Sequence, residues 1–316
     1  MNPLHVRNLT KTFPAQRTFW GAVKNPPFTA VNNISFEVKE GEILGLLGPN
    51  GAGKTTTIQM LLSTLKPTSG DITYFGKNFF TNRSEILTQI GFASAYVGLP
   101  KRLTVRENLE VYGRLYGLNR QQRQERIKKY LEEFGVDHLA NRETGALSAG
   151  ETTRVMLAKA FLSYPKIVLL DEPTAALDPD IAQDIRQFIL KRREKDGVSF
   201  LFTSHNMGEV TEVCDRVLVL QQGQIIADNT PEALAAKVSM AHLELLVNDL
   251  EKAIACVTER GLPHEVHGHL IEIEVDEHAI AQILQELTRA GVTYTQISIR
   301  KPQLEDYFVM IAKQTR

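Results

Sequence analysis

The chain has 316 residues, of which 43% are hydrophobic and 23% charged. This composition is typical of a globular protein and excludes a disordered or collagen-like chain, while the length predicts about two domains. The net charge of −1 excludes an overall basic surface, so we expect no nucleic-acid partner. Two cysteines are too few for a disulfide framework, which indicates a reducing compartment. No apolar stretch reaches the roughly 18 residues that span a bilayer, so we expect a cytoplasmic chain.

The first part of the chain alternates short apolar strands with helical patterns, which predicts an α/β layered fold. Strands are expected at 34–38 and 42–47, and the second strand ends in a glycine-rich turn. Apolar residues at helical spacing then predict a helix over 54–65, which Pro67 stops.

A helical pattern interrupts this alternation over 104–135. It begins with a capping box, in which Thr104 is followed three residues later by Glu107, and it ends at Gly135. We therefore predict a helical insert at about 100–140 within the α/β domain.

Strands and helices alternate again after this insert. We expect helices at 149–163, 180–194 and 207–214, and strands at 167–170, 198–203 and 216–220. The first predicted domain covers 1–230, and a linker follows at 231–240. Residues 241–316 then show a strand, helix, strand, strand, helix, strand order, which predicts a small ferredoxin-like α+β accessory domain.

The glycine-rich turn lies between a predicted strand and a predicted helix. Its sequence, Gly48-Pro-Asn-Gly-Ala-Gly-Lys-Thr55, fits the pattern G-x-x-x-x-G-K-[ST]. Glycines let backbone amides curl around phosphate oxygens, and the following helix points its positive end at them. We therefore predict an ATP site; the alternative is a glycine-rich turn without a ligand. The predicted nucleotide contacts in this turn are Gly48, Pro49, Asn50, Gly51, Ala52, Gly53, Lys54, Thr55 and Thr56.

Two acids end the apolar strand at 167–170. Ligands bind at the carboxyl ends of parallel strands in open α/β sheets. Asp171 suits direct or water-mediated binding of Mg²⁺, together with the hydroxyl of Thr55. Glu172 suits polarising the attacking water, as a general base or a positioner. The alternative is a solvated strand end.

Five motifs together resemble one family. The turn at 48–55 resembles a Walker A motif, and the strand with its two acids resembles a Walker B motif. Leu147-Ser-Ala-Gly-Glu151 resembles the ABC signature, usually LSGGQ. Ala176-Leu-Asp178 resembles the D-loop, and Thr203-Ser-His205 resembles the switch histidine. The chain over 4–230 is thus similar to an ABC ATPase, which implies a P-loop NTPase (RecA-like) core with an antiparallel β subdomain and a helical subdomain.

The signature resemblance implies a dimer. In the family the signature binds the γ-phosphate held by the other protomer, so two ATP molecules are sandwiched head to tail. Ser148 and Gly150 would supply the donors here, whereas Ala149 and Glu151 replace the usual Gly and Gln. By itself the motif could be only a well-capped helix. Both half-sites look complete, so a homodimer is the simpler expectation.

The remaining core motifs imply two further roles. His205 is assigned by the resemblance to the γ-phosphate and the attacking water, with Lys54 and Glu172 as the other catalytic residues. The alternative for a histidine after a strand is a structural role. Asp178 is assigned to the dimer seam.

Phe13 matches the aromatic position that stacks on adenine in the family, and a core aromatic is the alternative. Between Phe13 and Val31 the chain is longer than the usual family loop. We interpret this segment, 14–30, as an extended hairpin or flap. Its aromatic residues Phe19, Trp20 and Phe28 would cover the nucleotide or touch a partner.

One position departs from the family pattern. Ala95 stands where the family usually has a glutamine that contacts Mg²⁺ and the attacking water and senses the membrane subunit. An alanine side chain can do none of this. Communication would instead pass through the backbone of the 94–98 loop or through Tyr96.

The predicted accessory domain carries two weaker signals. Its segment 298–308 resembles the ending of ATPases that serve drug- and polyketide-type exporters. His264, His267 and His269 invite a metal site, but they lie in a hairpin pattern with no cysteine, so a solvated hairpin is the preferred interpretation.

The resemblance therefore implies an ATP-hydrolysing subunit that powers export through a separate integral membrane permease. It would bind at the inner face of the cell membrane, through a surface at 85–116 that includes Arg102 and Arg106. The rival interpretations are a soluble ABC ATPase acting on ribosomes or DNA, a small-molecule kinase, and a regulatory subunit that only binds nucleotide.

Overall fold

The chain divides into two compact units, an N-terminal unit (Met1–Thr230) and a C-terminal unit (Pro231–Arg316). A computed structural model describes residues 2–17, 23–95, 97–175, 177–238 and 240–314. Phe19, Trp20, Tyr96 and Ala176, which the sequence singled out, lie outside these ranges. No helix in the described ranges is both long enough and apolar enough to cross a membrane.

The N-terminal unit contains both parallel and antiparallel strands. Its strands are β1 (Leu4–Phe13), β2 (Gln16–Arg17), β3 (Val23–Asn25), β4 (Phe28–Val38), β5 (Ile43–Leu47), β6 (Ser69–Tyr74), β7 (Lys77–Asn78), β8 (Ile90–Ser94), β9 (Ile167–Asp171), β10 (Ser199–Thr203), β11 (Arg216–Gln221) and β12 (Gln224–Asn229). Its helices are α1 (Lys54–Leu61), α2 (Arg83–Leu87), α3 (Val105–Leu115), α4 (Arg120–Glu133), α5 (Ala149–Phe161), α6 (Pro179–Asp196) and α7 (Met207–Val213).

The central sheet has the order β12-β11-β5-β10-β9-β8. From β11 to β8 the neighbouring strands are parallel, and β12 pairs antiparallel with β11. Every residue of β5, β9 and β10 is buried, which is the burial that continuous apolar strands acquire when both faces of a parallel sheet are covered. The predicted α/β core is confirmed.

A second sheet, in the order β4-β1-β6-β7, is antiparallel. Its strands β1 and β4 form a long hairpin in which Phe13 pairs with Phe28. Beyond that pair, β2 and β3 continue as a small two-stranded sheet. The insertion is therefore an extended hairpin over the part that the structure describes, as predicted.

The helical subdomain contains α3 and α4. The predicted capping box is present at the start of α3, where the Thr104 side chain accepts from the amide of Glu107. Asn119 and Gln122 form a second capping box at the start of α4, which the sequence analysis did not identify. Gly135 takes a φ of 64° just after α4, consistent with the predicted end.

Several element predictions need correction. The first helix ends at Leu61 instead of Leu65, because Ser63 adopts a left-handed φ of 56°. The amides of Thr64 and Leu65 both return to the carbonyl of Gln59 and close the helix end. Strand β4 begins at Phe28 instead of 34, and strands β1, β6, β7, β8 and β12 were not predicted.

The C-terminal unit has its own antiparallel sheet, in the order β14-β15-β13-β16. Its elements are α8 (Pro231–Ala235), β13 (Met240–Val247), α9 (Leu250–Glu259), β14 (His264–His267), β15 (Leu270–Asp276), α10 (Ile280–Arg289), β16 (Tyr294–Arg300) and α11 (Leu304–Gln314). Alternate residues of β13 and β15 pack with residues of α9 and α10 in one buried apolar cluster. This arrangement is the predicted ferredoxin-like order.

Candidate functional site

The phosphate loop connects β5 to α1, and two of its glycines are sterically required. Gly48 has φ 149°, and a Cβ atom there would lie 2.2 Å from the carbonyl oxygen of Leu220. Gly53 has φ 107°, and its Cβ would lie 2.5 Å from the carbonyl oxygen of Ala30. Larger residues would therefore push the loop off the sheet and change the direction of its amides.

Lys54 is the first residue of α1 and lies across the loop. Its Nζ donates to the carbonyl of Gly48 at 2.5 Å and to that of Pro49 at 3.3 Å. Burial lowers the pKa of this amine, while Glu172 and Asp171 act in the opposite direction. The two predicted carboxylates therefore lie close enough to act on the predicted phosphate-binding lysine. Thr55 is exposed in the same helical turn.

Asp171 ends β9 and receives hydroxyl groups from the strands on both sides. The hydroxyl of Thr203 donates to Asp171 Oδ1 at 2.9 Å, and that of Ser94 donates to Oδ2 at 3.4 Å. Desolvation raises the pKa of Asp171, and the Thr203 hydrogen bond opposes this shift. Sequence reasoning did not give Thr203 or Ser94 a role. The signal available for Thr203 was its position at the end of a predicted strand, whereas no strand was predicted at 90–94 and nothing marked Ser94.

Glu172 adopts a left-handed φ of 54°, which is unusual for a residue other than glycine. Its amide donates to the Thr203 carbonyl at 3.1 Å and to the Thr203 hydroxyl at 3.0 Å. These bonds hold the turn that aims the carboxylate, and His205 Nδ1 hydrogen-bonds to Glu172 Oε2. The structure thus joins two of the predicted catalytic side chains.

The signature segment begins helix α5. Ser148 caps the helix and accepts from the amide of Glu151 at 3.2 Å, while Glu151 Oε2 accepts from the amide of Ser148 at 2.7 Å. The bond from the Ser148 amide is the main cause that lowers the pKa of Glu151, and Arg142 adds to it. The predicted capping box is therefore present at the start of α5. A helix N-terminus that is capped in this way can also present backbone amides to an anion.

Gly150 lies in the first turn of α5 against α6. A Cβ atom there would approach Ile181 Cδ1, the end of a flexible side chain, to 2.8 Å, so a larger residue would require Ile181 to shift. Asp178 precedes α6 and is exposed, and its side chain makes no capping hydrogen bond. Within the described part of the chain, no hydrogen bond or ion pair joins Ser148 or Gly150 to the phosphate loop.

A buried glutamate in α7, Glu209, supports the segments that carry Glu172 and His205. Glu209 Oε2 accepts from the hydroxyls of Thr174 at 2.6 Å and Ser204 at 3.1 Å. Arg186 approaches Glu209 Oε1 at 3.3 Å. The bonds fix the backbone on both sides of the Glu172–His205 pair. Sequence reasoning missed Glu209, because nothing local distinguishes it from a surface acid.

Comparisons with a family model and with known proteins all indicate the same family. The ABC transporter family model matches residues 31–175. The "Bacitracin transport ATP-binding protein BcrA" of Bacillus licheniformis is 32% identical over 96% of this chain and 95% of that protein. The "Linearmycin resistance ATP-binding protein LnrL" of Bacillus subtilis is 31% identical over 91% of this chain and 94% of that protein. This chain belongs to the ABC transporter ATP-binding family.

Solved structures support the same assignment. The dimeric structure of MJ0796, a bacterial ABC transporter cassette, superposes with a TM-score of 0.64 at 26% identity, covering 72% of this chain and 98% of that one. The chain is an ABC-type ATPase, and the fold class predicted from its motifs is confirmed.

Ala95 lies directly against the Walker B strand of this ABC ATPase. Its amide donates to the carbonyl of Asp171 at 3.2 Å, and the residue is exposed. The backbone at this position is therefore tied to the predicted metal-binding acid. Tyr96, the alternative route of communication, lies outside the described residues.

Phe13 lies at the end of β1 and is 38% exposed, so it is not a core aromatic. Phe28, which pairs with it across the hairpin, is 58% exposed. The Nζ of Lys11 lies 5.2 Å from the centroid of the Phe13 ring. Two adjacent exposed rings form a surface on which a planar base could stack.

Other chemical candidates lie apart from this site. His264 and His267 are at the ends of β14, which forms a hairpin with β15, as the preferred interpretation required. Across the described ranges, no cluster of three or more His, Cys, Asp or Glu side chains is arranged to hold a metal ion. A cavity of about 700 Å³ opens beside Lys166 and Ser199, at the opposite edge of the central sheet, and contains none of the motif residues.

Proposed function

We propose that this ABC ATPase powers the export of a substrate through a separate membrane subunit. The observation that supports it best is the joint position of Lys54, Asp171, Glu172 and His205 at one edge of the sheet. The similarity to BcrA and LnrL extends over nearly the whole chain, including the C-terminal unit. Related proteins from Burkholderia and Rhizobium carry the name "Nod factor export ATP-binding protein I".

ATP would bind with its phosphates in the loop from Gly48 to Thr56 and with its adenine on Phe13. The residues fit a magnesium ion, because the Thr55 hydroxyl and the Asp171 carboxylate are the hard oxygen ligands that it prefers. Thr55 and Asp171 would hold the ion, which would supply positive charge that offsets the charge of the phosphates. The buried position of Asp171 favours a nearby cation, because desolvation works against its negative charge.

Hydrolysis would use groups that the chain itself holds in place. The Glu172 carboxylate accepts a hydrogen bond and then a proton from the attacking water, while His205 orients the water and the γ-phosphate. Lys54 balances the charge that develops on the phosphate oxygens. The hydrogen bonds that the Glu172 amide donates to the Thr203 carbonyl and hydroxyl limit the movement of the carboxylate during this step.

A second protomer would complete each site. The amides at the start of α5 and the Ser148 hydroxyl would meet the γ-phosphate bound by the partner, and Gly150 would allow the close approach. Asp178 would lie at the seam. The support is that Ser148 and Gly150 make no bond to the phosphate loop of their own chain within the described residues, and that MJ0796 is dimeric. We propose a homodimer.

The membrane subunit would dock on the face at 85–116. Arg102, just before α3, and Arg106, in its first turn, are exposed there. Val111 and Leu115 of α3 expose 46% and 69% of their surface. Exposed apolar side chains beside basic ones suit a short helix of a permease that faces the inner side of the membrane. The ATPase would therefore be held at the cytoplasmic face of the membrane by its partner.

The first experiment tests docking. The chain is expressed with and without its cognate membrane subunit, and its amount in washed membranes is measured. We expect it in membranes only with the subunit, with Arg106→Glu or Arg102→Glu reducing the bound fraction more than the basal ATPase rate. Arg120→Glu, on an exposed residue at the start of α4, is the matched control and should bind normally. Equal binding of all three variants would contradict the proposed surface.

A second experiment tests the nucleotide site. Lys54→Ala should abolish ATP binding measured by isothermal titration, because the phosphates lose their charge partner. Lys66→Ala, a nearby exposed lysine outside the loop, should bind normally. Unchanged affinity of Lys54→Ala would remove Lys54 from the proposed site.

A further inference from the structure

Lys159 is a buried lysine in the middle of the signature helix α5. Only 5% of its surface is exposed. Lysines are almost never fully buried unless they are paired. Among the residues that the structure describes, no carboxylate lies within ion-pair distance of its Nζ and no acceptor lies within hydrogen-bond distance. Because Lys159 Nζ has no such partner, the small exposed fraction of the side chain is its remaining contact with water, and burial disfavours the charged form.

Two aromatic rings surround this ammonium group. The Lys159 Nζ lies 5.1 Å from the centroid of the Tyr112 ring and 5.6 Å from that of Phe92. Both distances are within the range of cation–π attraction, which acts most strongly when the cation is desolvated. Lys159 therefore holds a ring from α3 and a ring from β8 against helix α5.

These three elements lead to three functional regions. Helix α5 starts at the signature residue Ser148, and α3 carries the exposed face proposed for docking. Strand β8 ends at Ser94, whose hydroxyl donates to Asp171, and Ala95 follows with its amide on the same residue. Lys159 thus lies where the docking helix, the signature helix and the strand supporting the metal-binding acid pack together.

We propose that Lys159 is a positioning residue that links movement of α3 to the strand beside Asp171 through its protonated side chain. The ammonium attracts both rings, so a shift of α3 is transferred to β8. Ala95 has no side chain that could make this connection, and the packed route through Phe92 carries it instead. The part of this inference that concerns the membrane subunit rests on the proposed function.

The link depends on the charge of the amine. Burial alone lowers the pKa of Lys159 to about 8, with no charged group contributing. The titratable side chains that α3 presents nearby are Tyr112 and Tyr116, and burial raises the pKa of Tyr116 to about 12. Phe92, from β8, does not titrate. The amine of Lys159 therefore changes charge around pH 8, and the link should weaken as the pH rises from 7 to 9.

The isolated chain tests the inference without a membrane partner. The Glu172→Gln protein is used so that ATP is retained, and hydrogen exchange is measured with and without ATP. At pH 7 we expect ATP to protect the amides of α3 as well as those of the phosphate loop. Adding Lys159→Met should remove the protection of α3 and keep that of the loop. Lys159→Arg should preserve both, because arginine also attracts aromatic rings.

The pH dependence separates the charge from simple packing. At pH 9 the parent should lose the ATP-dependent protection of α3, whereas Lys159→Arg should keep it, since a guanidinium stays protonated. If Lys159→Met keeps the protection at pH 7, or if Lys159→Arg loses it together with the parent at pH 9, the inference is wrong. Should Lys159→Met fail to fold, Tyr112→Leu provides the same test with the lysine intact.

The complex with the membrane subunit provides a second test. Stimulation of ATPase activity by the subunit should fall about fivefold or more in Lys159→Met, the range of ordinary coupling between sites, while the basal rate is kept. Equal stimulation in the variant would overturn the inference, and an equal loss of basal rate would show a packing role only. If the subunit does not bind the wild-type chain, the proposed function fails, and the exchange experiment still decides the role of Lys159.

Discussion

The central sheet of the N-terminal unit and the sheet of the C-terminal unit use polar residues in different ways. In the parallel sheet, Ser94, Asp171 and Thr203 end the neighbouring strands β8, β9 and β10, and both hydroxyls bond to the one carboxylate. In the antiparallel sheet of the C-terminal unit, His242 Nδ1 lies 2.7 Å from Glu272 Oε1. His242 Nε2 lies 3.4 Å from Asp306 Oδ1.

The difference follows from strand direction. Parallel strands bring their carboxyl ends to one edge, so polar groups gather where a ligand can enter between loops. Antiparallel strands alternate in direction, so polar groups spread over a face. The His242 cluster joins β13 and β15 to helix α11 through contacts at ion-pair distance. The comparison teaches that the topology, more than the residue types, decides which cluster can do chemistry.

The test with the largest expected effect changes one glutamate to glutamine in each unit: Glu172, which follows β9, and Glu272 of β15. Glu172→Gln should lower ATP hydrolysis by about 10²–10⁴-fold, because the attacking water loses its general base. ATP should still bind and should trap a dimer, measured by size-exclusion chromatography with ATP. Glu272→Gln, the matched change in the C-terminal unit, should leave the rate within about twofold, since its partners are structural. A near-normal rate in Glu172→Gln would break the comparison.

The buried amine of Lys159 should make the free energy of unfolding depend on pH. Its pKa is about 8 in the folded chain and 10.5 for a free lysine, so the unfolded chain binds more protons between these values. Stability of the wild type should therefore rise as pH increases from 8 to 10.5, and Lys159→Met should lack this rise. Below pH 8 the variant should be more stable by roughly 3 kcal/mol, with the difference disappearing near pH 10.5.

Urea unfolding at pH 7, 9 and 10 measures this effect. The exposed Lys252, paired with Asp249 on α9, provides the control, and Lys252→Met should show no such pH-dependent gain. A variant of Lys159 that is less stable than the wild type at pH 7 would indicate that the ammonium is already fully compensated.

Removing one hydroxyl group from each unit should have a smaller effect on the free energy of unfolding. Thr203→Val leaves Asp171 Oδ1 and the Glu172 amide with fewer partners in a buried place, and should reduce the free energy of unfolding by about 1–3 kcal/mol. Thr288→Val removes a bond from an exposed threonine of α10 to its own helix, and should cost less than about 0.5 kcal/mol. Equal losses in urea unfolding would mean that Thr203 does not support the site.

The smallest expected effect concerns Ala95. Its amide, not its side chain, contacts the Walker B strand, so Ala95→Gln should change the basal ATPase rate by less than about tenfold, or 1.4 kcal/mol of barrier. Steady-state hydrolysis without the membrane subunit measures this. A rise of about a hundredfold would instead mark a site weakened by the alanine and would favour a mainly regulatory subunit.

The sequence alone determined the features that depend on neighbouring residues. The capping boxes at Thr104 and Ser148 need only residues three apart, and both are present. The loop at 48–55 and the acids after β9 were recognisable because their spacing carries the chemistry. The strand and helix order of the C-terminal unit was visible in its apolar periodicity, and that order was sufficient for a ferredoxin-like sheet.

Only the tertiary structure decided the features that join distant segments. Thr203 supports Asp171 from 32 positions along the chain, and no local pattern marks that bond. The left-handed Ser63 ends α1 early, where periodicity alone predicted another turn. No local pattern distinguishes Lys159 in the sequence, yet packing against Phe92 and Tyr112 buries it. Hydrophobic periodicity reports which face of an element is covered, whereas the identity of the covering side chains is set by contacts between elements far apart in sequence.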